Sequence, residues 1–277
     1  MKILKRSFEF YLNSSIHVAL AVTSLVYLTY LNFEIPLDKN LIYFTFFSTI
    51  SSYNFVKYFG LAKFHHRSLA LWLRQIQIFS FLCFIPLIYF ALQLPYRTLV
   101  MLGALGLITF LYAMPLLPRR IFVDSRTNLR TISGLKIYVI AIVWAVTAVI
   151  VPFIQGELNI SSDAIIMSVQ LFIYVIVAML PFEIRDMRYD SIKLATIPQQ
   201  IGIKQTKIIG IVLALMMFFL EFLKDELHTT KLIILLVVSV VLLTAVLFSK
   251  TNQSKYYSAF WVESIPLLWV LMTLLML

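Results

Sequence analysis

Three carboxylates close one apolar run of this chain: Glu183, Asp186 and Asp190, within Pro181-Phe182-Glu183-Ile184-Arg185-Asp186-Met187-Arg188-Tyr189-Asp190. Their spacing of i, i+3 and i+7 puts all three on one face if a helix continues through them. Like charges so placed repel, so a positive partner is required. Mg²⁺ is one such partner, since it takes oxygen ligands and is often held by one or two carboxylates plus substrate phosphates. Arg185, Arg188 and Lys193 are the other; paired with them, the acids become a solvated helix end of alternating charge.

A second set of polar residues interrupts otherwise apolar runs: Asn13, His17, Asn54, Lys57, Arg74, Gln75, Gln77, Tyr112, Lys136 and Glu263. A polar group in hydrocarbon is costly and usually faces a cavity or a partner. Together with Glu183 and Asp186, the set reads as one polar chamber open to one side, with an apolar floor. Taken singly, Lys57, Arg74 and Lys136 read equally well as basic side chains snorkelling to an interface. Snorkelling does not account for Asn54, Gln75, Gln77, Glu183 or Glu263.

The elements that position these groups follow from composition. Of 277 residues, 61% are hydrophobic and 13% charged, and the mean hydropathy is +0.92. One water-soluble globule of this size cannot bury so much apolar surface, and the single Cys83 allows no intrachain disulfide. The class is an all-α integral membrane protein. Runs of about 20 apolar residues predict nine spans in one membrane domain: Ser15–Phe33, Asn40–Ala62, Leu71–Leu92, Thr98–Leu117, Ile132–Phe153, Asp163–Phe182, Lys207–Leu223, Thr230–Phe248 and Ser258–Met276. The first run is too long for a signal peptide and lacks a small-residue cleavage site.

Basic residues orient the bundle. With the N-terminus inside, only Lys39, Arg97, Lys224 and Lys231 of the 23 Lys and Arg fall outside. The N-terminus is then cytoplasmic, the C-terminus external, and all the polar interruptions lie in the cytoplasmic half. The +10 net charge reflects topology and an anionic inner leaflet, with no nucleic-acid partner implied. No Walker motif, dinucleotide fingerprint, His-Glu-x-x-His or internal repeat is present.

The chain resembles the UbiA-type intramembrane prenyltransferases, nine-helix proteins with a cytoplasmic-side chamber and two aspartate-rich motifs. Their second motif, Asn/Asp-x-x-Asp-x-x-x-Asp followed by Thr-Leu-Ala or Thr-Ile-Pro and Leu-Gly, is similar to Glu183-x-x-Asp186-x-x-x-Asp190 and Thr196-Ile197-Pro198-Gln199-Gln200-Ile201-Gly202. Tyr112-Ala113-Met114-Pro115 with Arg119-Arg120 resembles the family's Tyr-x-x-Pro and basic loop, and Gly134-Leu135-Lys136, Trp144-Ala145 and Val151-Pro152 its fifth helix. The likeness spans roughly the whole chain. It implies transfer of a prenyl group from a prenyl diphosphate to a lipophilic acceptor, aromatic acceptors included. It also implies Mg²⁺ on Glu183, Asp186 and Asp190, Asp186 and Asp190 being catalytic, and a diphosphate near Asn54, Lys57, Tyr112, Arg119 and Lys136.

The departures are specific. The family's first motif is Asn-Asp-x-x-Asp-x-x-x-Asp; here Asn54 remains but Phe55, Tyr58 and Ala62 stand at the acidic positions. One Mg²⁺ site is therefore expected rather than two, with Lys57 supplying positive charge inside the lost motif. Between Asp190 and Thr196 the chain is shorter than the family and has no glycine. A non-catalytic prenyl-lipid-binding or scaffolding relative is the alternative. A transporter is third, because nine spans do not divide evenly and Pro86, Pro115, Pro181 and Pro266 show no two-half pattern.

Overall fold

The computed structural model describes residues 2–62, 71–113, 135–188 and 196–276, and the described chain is helical without strands. Arg119, Asp190, the pair His65-His66, and the ends of the fourth and fifth expected runs lie outside these residues.

The elements are α1 (Lys2–Asn13), α2 (Ile16–Asn32), α3 (Lys39–Ala62), α4 (Leu71–Ala91), α5 (Tyr96–Ala113), α6 (Leu135–Ala145), α7 (Val151–Gln155), α8 (Ser162–Asp186), α9 (Ile197–Phe219), α10 (Thr229–Leu247) and α11 (Ile265–Met276). A π-helical segment, Val146–Ile150, joins α6 to α7, and another, Tyr257–Val262, leads into α11. Six helical stretches among the described residues are long and apolar enough to cross a membrane: α4, α6 through α7, α8, α9 with its 3₁₀ end, α10, and Tyr257–Met276. The bent pair α1–α2 makes a seventh if counted as one. The chain is thus a helical bundle suited to a lipid bilayer. Of the remaining expected spans, α3 has the length but carries too many polar residues for the same criterion, and α5 is described only over a shorter apolar stretch.

The first expected span, Ser15–Phe33, is preceded by a further helix, α1, set at 52° to α2, and the break is local chemistry. Ser15 sits in the left-handed region at φ 64°, which costs a non-glycine residue energy that its surroundings must repay. Hydrogen bonds around Asn54 do so, as described below. Before the break α1 is amphipathic, with Ile3, Leu4, Lys5 and Arg6 exposed, as suits a helix lying in the membrane interface. After it, α2 is apolar all round.

The bundle is organised on α8, which packs on α6, α9 and α10. Leu171, Tyr174, Leu180 and Ile184 on α8 are fully buried. By contrast α4 touches chiefly α3 and leaves Leu71, Phe81 and Ile85 exposed, the pattern of a helix bathed in lipid. The seventh expected run begins too late. The helix starts at Ile197, where the Gln199 side chain accepts the Thr196 N–H and Pro198 stands in the first turn. It kinks at Gly202, whose φ of +81° glycine alone adopts readily.

Candidate functional site

Asn54 on α3 is the hub of a polar cluster that joins the α1–α2 break to α4. Its amide donates to the Ser14 carbonyl (2.9 Å) and Ser80 Oγ (2.8 Å) and accepts from Ser15 Oγ (2.8 Å). Both amide protons are used, and the side chain is buried. These bonds hold the left-handed Ser15 and pin three helices together. Asn54 is therefore placed beside the site with its amide already engaged.

Lys57, one turn further on, donates to Ser15 Oγ at 2.9 Å. Its side chain keeps accessible surface. Glu263 is partly accessible, with Lys57 and Arg185 both within Coulombic range. Among the described residues the Glu263 carboxylate has no hydrogen-bond or ion-pair partner. The ammonium and the carboxylate are thus within electrostatic reach of each other without an ion pair.

The acids of α8 have partners. The helix continues through Asp186, so Glu183 and Asp186 do lie one turn apart. Glu183 is buried and accepts the Ile197 N–H at the start of α9 (3.2 Å), where a helix N-terminus favours negative charge. Asp186 accepts from Arg185 Nε at 2.7 Å. Arg185 also donates to Ser258 Oγ (2.8 Å) and lies 5.4 Å from the Phe182 ring centroid. Among the described residues no three His, Cys, Asp or Glu side chains converge as a metal cage would require; Asp190, the third acid, is outside them.

Phe55 and Tyr58, two of the positions that the resemblance sets against acids, make packing and hydrogen-bond contacts. Phe55 stacks on Phe110 of α5 at 6.0 Å, and the Tyr58 hydroxyl donates to the Asn13 carbonyl at 2.8 Å. Tyr112 and Lys136 line a separate cavity of about 320 Å³ between α2, α3, α5 and α6, where Trp144 donates to the Tyr53 hydroxyl at 3.0 Å. Gln77 lines a neighbouring cleft, whereas Gln75 and Arg74 face outward. The residues expected in one chamber therefore fall into two groups: the charged Lys57, Glu263 and Arg185, and the lining of a largely apolar cavity that includes Tyr112 and Lys136.

Ser15 is the residue that sequence reading missed. It is the hydroxyl that seats Lys57, yet a serine at the start of an apolar run carries no signal of its own. Across protein-family models, curated proteins and solved structures, no match to this chain is found.

Proposed function

We propose that the chain is a UbiA-like intramembrane prenyltransferase of nine spans. Its N-terminus is cytoplasmic and its C-terminus external. It transfers a prenyl group from a prenyl diphosphate to a lipophilic acceptor. The observation that carries this reading is Lys57: a cation held by the Ser15 hydroxyl, next in the chain to Val56 in the wall of a largely apolar cavity. An amphiphile with an anionic head and a hydrocarbon tail matches that pairing of a fixed charge with a dry groove.

Ionisation of an allylic diphosphate needs concentrated positive charge on the departing group. Lys57, Lys136 and Arg119 are the bases assigned to it, with Tyr112 as a hydroxyl donor. The hard oxygens of Glu183 and Asp186, one turn apart at the bundle end, suit Mg²⁺, and Asp190 completes the assigned set. When bound, that ion neutralises diphosphate charge. Arg185 holds Asp186 in the meantime, and the enclosing helices keep water from the reacting carbon.

The test is release of pyrophosphate from farnesyl diphosphate by the purified protein with Mg²⁺, with and without a phenolic acceptor. Release above that of a Lys57→Met, Asp186→Asn double variant supports the transferase. A specific observation favours the second reading, a prenyl-lipid-binding protein without catalysis: Asn54, Glu183 and Asp186 are all committed to structural partners. Tight binding of farnesyl diphosphate with no release at any Mg²⁺ concentration would select it.

A further inference from the structure

The helix α1 is tied to the bundle on one side and nearly free on the other. Phe8 packs against Tyr256 and Phe260, the Tyr11 hydroxyl is hydrogen-bonded to His17 Nδ1 at 2.6 Å, and Glu9 accepts from Lys255 and Tyr256. The opposite side carries Ile3, Arg6, Ser7 and Phe10, spaced i, i+3, i+4 and i+7 and so on one helical face. With Gln75 and Ile78 of α4, these four residues line a groove of about 580 Å³. Direct contact between α1 and α4 is sparse, and it includes the Phe10 ring set edge-on to Phe79 at 5.5 Å.

The lining divides by chemistry. Ile3, Phe10 and Ile78 are apolar, whereas Arg6, Ser7 and Gln75 offer a guanidinium, a hydroxyl and an amide. Those three are exposed, and Arg6 and Gln75 have no hydrogen-bonded or ion-paired partner among the described residues. No acid lines the groove, and Glu9, the one acid of α1, is engaged by Lys255 and Tyr256. An arginine fork with further donors beside it and no carboxylate suits the oxygens of a phosphate. Apolar side chains alternate with these donors along the same face, so the phosphate belongs to a molecule that also carries hydrocarbon. An amphipathic helix in the membrane interface meets such molecules in the phospholipids of its own leaflet.

We propose that the groove between α1 and α4 seats one anionic glycerophospholipid, its phosphate on Arg6 and Gln75 and the start of an acyl chain against Ile3, Phe10 and Ile78. The lipid supplies the packing that α4 alone does not give α1, and so steadies the helix on the side away from Glu9. The site does not depend on the transferase reading. An arginine that merely snorkels among headgroups responds to membrane charge as any other base on its helix does. Lys5 provides that comparison: it is the adjacent residue, it is exposed, and it lies outside the groove lining.

The experiment measures, by native mass spectrometry, retention of dioleoylphosphatidylglycerol and of dioleoylphosphatidylcholine by the delipidated full chain in detergent. The parent should keep one phosphatidylglycerol and prefer it to phosphatidylcholine about fivefold, the effect of one base close to an anionic lipid. Arg6→Gln and Gln75→Glu should each remove that preference, although they lie on different helices. Lys5→Gln should retain it, although it takes the same charge from α1 as Arg6→Gln does. A parent without the preference, or equal loss in Lys5→Gln and Arg6→Gln, overturns the proposal. Displacement of the lipid by glycerol 3-phosphate overturns it too, making the groove a site for a soluble phosphate. A dimer that Arg6→Gln dissolves would assign the groove to a second copy of the chain and equally overturns it. Thermal unfolding in detergent without added lipid should be the same for parent and variants; if Arg6→Gln unfolds early, Gln75→Glu on α4 carries the test.

Discussion

The two ends of the bundle bury charge in opposite ways. At one end Glu221 is closed on all sides: Lys224 pairs with it at 2.7 Å, Gln170 donates to it at 2.9 Å and to the Met217 carbonyl at 3.1 Å, and Lys231 donates to the Asn32 carbonyl at 2.8 Å. The space left there is about 20 Å³, room for a single water. At the other end Lys57 makes one hydrogen bond, Glu263 makes none through its carboxylate, and both keep accessible surface. A network whose members satisfy one another holds helices together. Charges left with accessible surface and few partners remain open to a ligand. The contrast separates a structural polar cluster from a candidate site without reference to residue type.

The comparison is broken most directly at its closed end. Glu221→Ala leaves the half-buried Lys224 without its counter-ion and should cost about 3 kcal/mol, in line with other buried pairs that lose one partner. Thermal unfolding in detergent should show the loss, while the protein that remains folded binds farnesyl diphosphate as the parent does. A drop in ligand affinity per folded molecule would mean that the two ends are not independent. The next largest effect belongs to the open end. Lys57→Met should weaken farnesyl diphosphate binding at least tenfold, about 1.4 kcal/mol, and leave the unfolding temperature nearly unchanged. A large fall in that temperature instead would make Lys57 a structural member like Lys224.

Asp186→Asn sharpens the same distinction. It keeps a hydrogen-bond acceptor for Arg185, so the fold should survive, while Mg²⁺ should lose its effect on diphosphate binding. Binding titrations with and without EDTA check this, and an undiminished Mg²⁺ effect would make Asp186 only the partner of Arg185. The smallest effect lies at the interface helix. Glu9 on α1 accepts from Lys255 and Tyr256, which hold its carboxylate below the usual range, and Glu9 in turn raises the Lys255 ammonium. The tether is therefore intact at neutral pH, weakens on acidification as Glu9 gains its proton, and weakens at high pH as Lys255 loses its own. Lys255 is largely exposed, so Glu9→Gln should cost only about 0.5 kcal/mol. A fluorophore on Ser7 should report α1 loosening in that variant and in acid, with no difference between variant and parent once Glu9 is protonated.

The sequence made the membrane class and most of the helix positions legible, because runs such as Thr230–Phe248 are apolar over the full thickness of a bilayer. It marked Glu183, Asp186, Lys57 and Glu263 as anomalies for the same reason: each is a charge where hydrocarbon composition is expected. Their partners were not legible. Ser15 lies 42 residues from Lys57 and the Ile197 amide 14 from Glu183, and no local pattern records such meetings. The cleft lined by Gln77, with Gly106 in its wall, was hidden too, since it depends on how α3, α4 and α5 pack. Gly106 in isolation reads only as a weak helix former.

The π-helical turn at Tyr257–Val262 has a consequence for insertions and deletions. A π turn holds one residue more than the α-helix needs to cover the same rise, seen here in the Glu263 N–H reaching back to the Ser258 carbonyl. That surplus residue uncouples two faces of one stretch of chain. Beyond it, Trp269 and Thr273 point into the bundle; before it, Ser258 meets Arg185 and Phe260 stacks on His17. Deleting Ala259 would restore α-helical phasing and rotate one half against the other by about 100°. With α11 anchored by its packing, Ser258 and Phe260 would swing away from Arg185 and His17. A single codon therefore sets whether the bundle core and the contacts to Arg185 and His17 can be built from the same stretch of chain.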